Sequence, residues 1–150
     1  MNTPDHTPKM KAPELPESVG RILGLGIDIV ASERVRRMKA VHGSRFLARC
    51  FTDSEAEYCM SRKDPIPDLA VRLAAKEACF KAIGGRRGMG LGWRGFEVVL
   101  DSQGVPEMSL RDAAQARGEM LGVSRIWMSL THEDDWSGAV VIMTGEDQNA

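Results

Sequence analysis

Three places in this 150-residue chain hold polar groups where they are expensive. The first is Asp28, embedded in the apolar run Leu25-Gly-Ile-Asp-Ile-Val30. A carboxylate inside a buried strand needs a cationic partner or a metal, because an unpaired buried charge is strongly unfavourable. Gly24 and Gly26 beside it allow a second backbone or a ligand to approach closely. Their spacing does not make a dinucleotide-binding turn, since the third glycine is missing and Asp28 follows too soon. The second place is Ala74-Ala-Lys-Glu-Ala-Cys-Phe-Lys81, where Glu77 and Lys81 stand four residues apart on one helix face. Spacing alone favours a surface ion pair. The functional reading is a carboxylate for a metal beside an ammonium for a phosphate. Magnesium takes one or two carboxylates plus phosphate oxygens and water, and Asp28 with Glu77 would suit it. The third place is Ser129-Leu-Thr-His132. Strand alternation puts Ser129 and Thr131 on one side, with His132 at the strand end. No oxyanion hole or orienting acid accompanies them, so they do not read as a catalytic triad.

Charge is distributed unevenly along the chain. From Ser32 to Cys50 stand Arg34, Arg36, Arg37, Lys39, Arg45 and Arg49 against Glu33 alone. That segment carries +5, leaving −6 for the rest of a chain whose net charge is −1. Such a segment is either a solvated helix face or a surface for an acidic partner. Cys50, Cys59 and Cys79 are an odd number without metal-ligand spacing and read as small core residues, which points to a reducing cytoplasm. No apolar run reaches the roughly 18 residues of a membrane span, so no membrane partner is expected.

The elements that must position these groups follow from pattern. The domain plan is an extension over residues 1–20, with prolines at 4, 8, 13 and 16, one folded domain over 21–145, and a tail over 146–150. Residues 21–30 read as a buried strand. Ser32 is expected to cap a helix running to about His42, ended by Gly43. A short helix over 44–51 follows, and Thr52-Asp-Ser-Glu55 is a capping box opening a helix to about Ser61. The two prolines of Lys63-Asp-Pro-Ile-Pro67 predict a loop. Asp68 is then expected to cap the strongest helix, Leu69 to Ile83, closed by Gly84-Gly85. Its alanines at 70, 74, 75, 78 and 82 permit close packing. A glycine-rich loop over 84–92 leads to a hairpin of strands 94–100 and 105–109, a helix 110–121, and strands 124–131 and 136–144. Helices mixed with reversing strands give an α+β class, an antiparallel sheet packed with helices.

Taken in order, Gly-Leu-Gly-Ile-Asp-Ile-Val30, then Arg72-Leu-Ala-Ala-Lys-Glu-Ala-Cys-Phe-Lys81, then Ser-Leu-Thr-His132 resemble the holo-acyl-carrier-protein synthase family of phosphopantetheinyl transferases. The resemblance spans about residues 22–143. It implies a small single-domain enzyme that moves 4′-phosphopantetheine from coenzyme A to a serine of an apo-acyl carrier protein. It implies that Asp28 and Glu77 bind Mg2+ and that Lys81 contacts the pyrophosphate. By the same resemblance, Lys63 and Arg72 lie near the adenosine phosphate, Gly84 and Gly85 shape the loop over the nucleotide, and His132 lines its pocket. Arg34, Met38 and Arg45 match positions that grip the acidic carrier protein. The family also implies a homotrimer with sites at subunit interfaces. A water polarised near Asp28 or Glu77 would serve as base.

Two departures stand out. Ala31 replaces a glutamate common three residues after the metal-binding aspartate, and Gly84-Gly-Arg-Arg-Gly88 replaces a Gly-Thr-Gly loop. Arg86 and Arg87 read equally as phosphate contacts or as solvated side chains. The competing readings are a non-catalytic carrier-protein- or coenzyme A-binding module of the same fold, and a nucleic-acid-binding domain. The first would have no reason to retain three costly polar groups. The second lacks a stacking platform, since Phe46 is the one aromatic inside the basic segment, and nucleic acid is not an expected partner.

Overall fold

The structure is a computed structural model and describes residues 20–147. The expected extension, apart from Gly20, and the tail beyond Asp147 lie outside the described residues. Strand β1 (Arg21–Ala31) leads through helices α1 (Ser32–His42), α2 (Ser44–Cys50) and α3 (Asp53–Met60) to the long α4 (Ile66–Ala82). A single 3-10 turn (Trp93–Gly95) precedes β2 (Phe96–Leu100) and β3 (Pro106–Leu110). Helix α5 (Asp112–Leu121), β4 (Arg125–Glu133) and β5 (Trp136–Gly145) complete the chain. The three-stranded sheet runs β1-β5-β4 and β2 pairs with β3, all antiparallel. This is the α+β architecture expected.

Helix α4 lies across β1 and β5 and supplies the centre of the core. Leu69, Ala70, Ala74, Ala75, Ala78 and Cys79 are fully buried. Its approach to β1 depends on glycine. A Cβ on Gly24 would stand 1.9 Å from the carbonyl oxygen of Ala82, and one on Gly26 would stand 1.8 Å from that of Ala78. The two glycines therefore serve the backbone of α4, one helical turn apart.

Several boundaries differ from expectation, each for a local reason. Helix α4 starts at Ile66, not Leu69, with Pro65 as N-cap and Pro67 in the first turn. A first turn has N–H groups without intrahelical partners, so proline costs little there. Asp68 therefore does not cap; the Asp64 carboxylate does related work by accepting from the Ile66 N–H at 3.1 Å. Ser32 makes no side-chain cap either. Its N–H donates instead to the carbonyl of Asp135 in the β4–β5 turn, at 2.7 Å. The capping box of Thr52 and Glu55 forms with both bonds. Strand β1 is buried on one face only: Leu25, Ile27 and Ile29 are about 60% exposed. All three cysteines are buried and free, and burial pushes the Cys59 thiol up to about 11 and that of Cys79 to about 12.

Candidate functional site

Alternation along β1 turns Gly24, Gly26 and Asp28 toward α4 and Leu25, Ile27 and Ile29 away from it. The glycines let the helix come close, and Asp28 meets its polar face one strand position further on. Lys81 Nζ donates to Asp28 Oδ1 at 2.8 Å and to the carbonyl of Ile27 at 2.8 Å. Asp28 Oδ2 is buried without a hydrogen-bond partner. Beside it stands Glu77, whose Oε1 accepts one bond from Arg34 of α1 at 3.4 Å. Burial first, then contact with the Asp28 carboxylate, push Glu77 up to about 7, against the pull of Arg34. Two carboxyl groups this close either share a proton or share a cation.

That arrangement fits a divalent ion that is completed by its substrate. The donors are hard oxygens, one of them is orphaned, and both carboxylates are mostly shielded, at 13% and 17% side-chain exposure. Among the described residues no cluster of three or more His, Cys, Asp or Glu side chains forms. Two carboxylates leave coordination positions open for phosphate and water.

The other expected site residues are placed less uniformly. Arg72 is buried, packed 4.4 Å from the Tyr58 ring centroid and 3.5 Å from Asp68, with its Nε unpartnered. Lys63 is exposed in the turn between α3 and α4, and His132 is exposed on β4, paired in register with Ser137. Among the described residues no hydrogen bond or ion pair joins Lys63, Arg72 or His132 to Asp28, Glu77 or Lys81. Gly84 ends α4 at φ +68°, and a Cβ on Gly85 would stand 2.6 Å from the Phe80 ring. A side chain at position 85 would have to displace Phe80, an aromatic that packs on Trp93 and Phe96. Arg86 and Arg87 are exposed. Met38 and Arg45, with Phe46, Arg49 and Trp93, line an open cleft of about 850 Å3 between α1 and α2.

Sequence reasoning missed two features. Lys76 is fully buried and donates to Glu55 Oε2 at 2.7 Å and to the carbonyls of Trp93, at 3.2 Å, and Phe96. The capping box exposed the first duty of Glu55, while its second, to Lys76, depends on tertiary packing. The bond from Arg34 to Glu77 spans 43 residues and left no local signal.

Two carboxylates and a lysine thus gather where a helix crosses a glycine-bearing strand. The chain belongs to the 4′-phosphopantetheinyl transferase superfamily, whose sequence signature matches residues 24–141. It is 38% identical over 122 residues to a holo-[acyl-carrier-protein] synthase of Syntrophotalea carbinolica, covering 81% of this chain and 95% of that one. It is 40% identical over 121 residues to the synthase of Chlamydia muridarum, covering 81% and 94%. The crystal structure of the Neisseria meningitidis synthase superposes with a TM-score of 0.74 at 35% identity, over 81% of this chain and 98% of that one. A Bacillus anthracis synthase, solved in complex with CoA (3′,5′-ADP), superposes with a TM-score of 0.68 at 26% identity, over 83% and 98%.

Proposed function

We propose that the protein transfers 4′-phosphopantetheine from coenzyme A to a serine of an apo-acyl carrier protein. The observation that carries this reading is the shared Asp28–Glu77 pair beside Lys81, in a chain that belongs to the transferase superfamily. The serine hydroxyl would give its proton to a water beside Asp28 or Glu77, and its oxygen bonds to the β-phosphorus of coenzyme A as the bond from that phosphorus to the bridging oxygen breaks. Adenosine 3′,5′-bisphosphate leaves with that electron pair. Chemistry of this kind needs positioning and charge neutralisation more than covalent help. Asp28 and Glu77 would hold Mg2+, which neutralises diphosphate charge when bound. Lys81, fixed by the Ile27 carbonyl, presents a second positive charge at the same place. Lys63 and the buried, incompletely satisfied Arg72 are proposed for the adenosine phosphate, His132 for the nucleotide pocket, and Gly84 and Gly85 for the loop beside it.

The cleft lined by Met38, Arg45 and Arg49, with Arg34 on the same helix as Met38, suits an acidic carrier protein. The uncovered apolar face of β1 at Leu25, Ile27 and Ile29 supports assembly as a homotrimer, a second copy covering what the monomer leaves exposed. No helix among the described residues is long and apolar enough to cross a membrane, and a cytoplasmic location is proposed.

Mass spectrometry of an apo-carrier protein incubated with the protein, coenzyme A and Mg2+ tests the activity. The expected product gains one phosphopantetheine, and chelator or Glu77→Ala prevents the gain. No mass gain across a panel of apo-carrier proteins would discard the transferase reading. Light scattering tests assembly: three protomers are expected, and a monomer at working concentration would refute the trimer.

A further inference from the structure

Each carboxylate of the pair is held by one basic side chain, and the two holds differ in kind. Lys81 is anchored, since its ammonium donates to the Ile27 carbonyl as well as to Asp28. Arg34 reaches Glu77 Oε1 through a single nitrogen at 3.4 Å, and its side chain is 52% exposed. Among the described residues Glu77 is the one partner of that guanidinium. A long contact made by one exposed, flexible side chain contributes little and is easily exchanged. Arg34 also stands on the cationic helix α1, one turn from Met38 at the edge of the cleft. Its guanidinium therefore lies within reach of two acidic claims, Glu77 from within the protein and any acidic partner laid on α1 from outside.

We infer that Arg34 is a cation-displaced latch. It neutralises Glu77 in the cation-free protein, and a divalent cation at Asp28 and Glu77 releases its guanidinium to an acidic protein docked on α1. This inference rests on the metal reading given above. Cation and guanidinium compete for the same Glu77 carboxylate, and Arg34 yields because Glu77 alone holds it among the described residues. Lys81 stays, because a backbone carbonyl does hold it. The coupling is reciprocal by thermodynamic necessity: cation strengthens docking, and docking strengthens cation binding by the same factor.

The test uses Mn2+ alone, which takes the same oxygen donors, titrated into the full chain with the free ion counted by electron paramagnetic resonance. Wild type is compared with Arg34→Gln and with Arg36→Gln. Arg36 pairs with Glu33 at 2.8 Å on the same helix, so its loss changes net charge equally without touching Glu77. Arg34→Gln is expected to bind Mn2+ about 3- to 5-fold tighter, the scale of one exposed ion pair, and Arg36→Gln within about 2-fold of wild type. Binding of an acidic apo-acyl carrier protein, measured without coenzyme A, should tighten with Mn2+ in wild type and show no Mn2+ dependence in Arg34→Gln. Unchanged or weaker Mn2+ affinity in Arg34→Gln, an equal gain in Arg36→Gln, or wild-type docking indifferent to Mn2+ overturns the latch and leaves the metal site standing. Absence of Mn2+ binding by wild type, or binding that survives Glu77→Gln, overturns the metal reading and the latch with it.

Discussion

Helix α4 carries two charged residues side by side, and their surroundings are opposite in kind. Lys76 is sealed in the core, where its ammonium meets Glu55 and two backbone carbonyls. Glu55 is as complete, accepting also from the N–H groups of Thr52 at 2.9 Å and Val98 at 2.8 Å. One residue on, Glu77 faces Asp28, a like charge with an orphaned oxygen, and is offset by one long contact to Arg34. The sealed pair joins α3, α4 and β2, and each of its side-chain polar atoms has a partner. The crowded pair is electrostatically unfinished. Charges on one helix thus serve architecture where their hydrogen bonding is satisfied and are left open to a ligand where it is not.

The sharpest way to break this comparison is to exchange the fates of the two residues. Lys76→Met leaves Glu55 buried without its cation, and breaking a buried pair costs about 3–5 kcal/mol. Chemical denaturation should show that loss, with transfer activity falling only as folded protein is lost. Glu77→Gln should do the reverse, leaving the denaturation midpoint unchanged or higher because it removes one of two crowded carboxylates. Its turnover should fall by about 100-fold or more, the scale of losing one group that stabilises transition-state charge. A variant at Glu77 that unfolded the protein, or one at Lys76 that left stability intact, would erase the distinction.

How much of this could be read from the chain follows the same division. Asp28 stands out locally as a carboxylate in an apolar strand, whereas the i, i+4 spacing of Glu77 and Lys81 favours a surface ion pair and only the family resemblance assigns them to a site; in the structure Lys81 meets Asp28 and Glu77 meets Arg34. The antiparallel α+β plan was equally accessible, since turns and alternation are local signals. What escaped was set by partners distant in sequence. Lys76 looks like any helical lysine until Glu55 and the 3-10 turn close over it. Strand β1 reads as buried on both faces because every odd position from 25 to 29 is apolar, yet that face is left uncovered in the single chain. The prolines at 65 and 67 were read as breakers because sequence does not say that they fall in a first turn.

A smaller effect is expected where the sheet brings the unfinished pair together. Gly26→Ala would set a methyl 1.8 Å from the Ala78 carbonyl oxygen, a backbone atom that cannot rotate aside. Helix and strand must part, at about 1–3 kcal/mol for overpacking. Parting them also moves Asp28 away from Glu77, so cation affinity should fall in protein that remains folded. Val98→Ala, buried elsewhere in the core, is the control: it should lower stability and leave cation affinity unchanged.

The smallest effect concerns the sealed side of the comparison and depends on pH. Burial alone would raise Glu97, but hydrogen bonds from Thr52 and Ser54 and the paired Arg111 outweigh it and hold the carboxyl below its usual value. A carboxylate whose folded value lies below its unfolded one adds stability above the unfolded value, and that stability disappears as pH falls through the folded value. Glu97→Gln keeps an acceptor while removing the charge. Its melting temperature should therefore lie a few degrees under wild type at neutral pH, and the two curves should converge below about pH 4.5 as Glu97 takes up its proton. Parallel curves through that range would show that Glu97 contributes shape and not charge, and would remove it from the saturated network that separates Lys76 from Glu77.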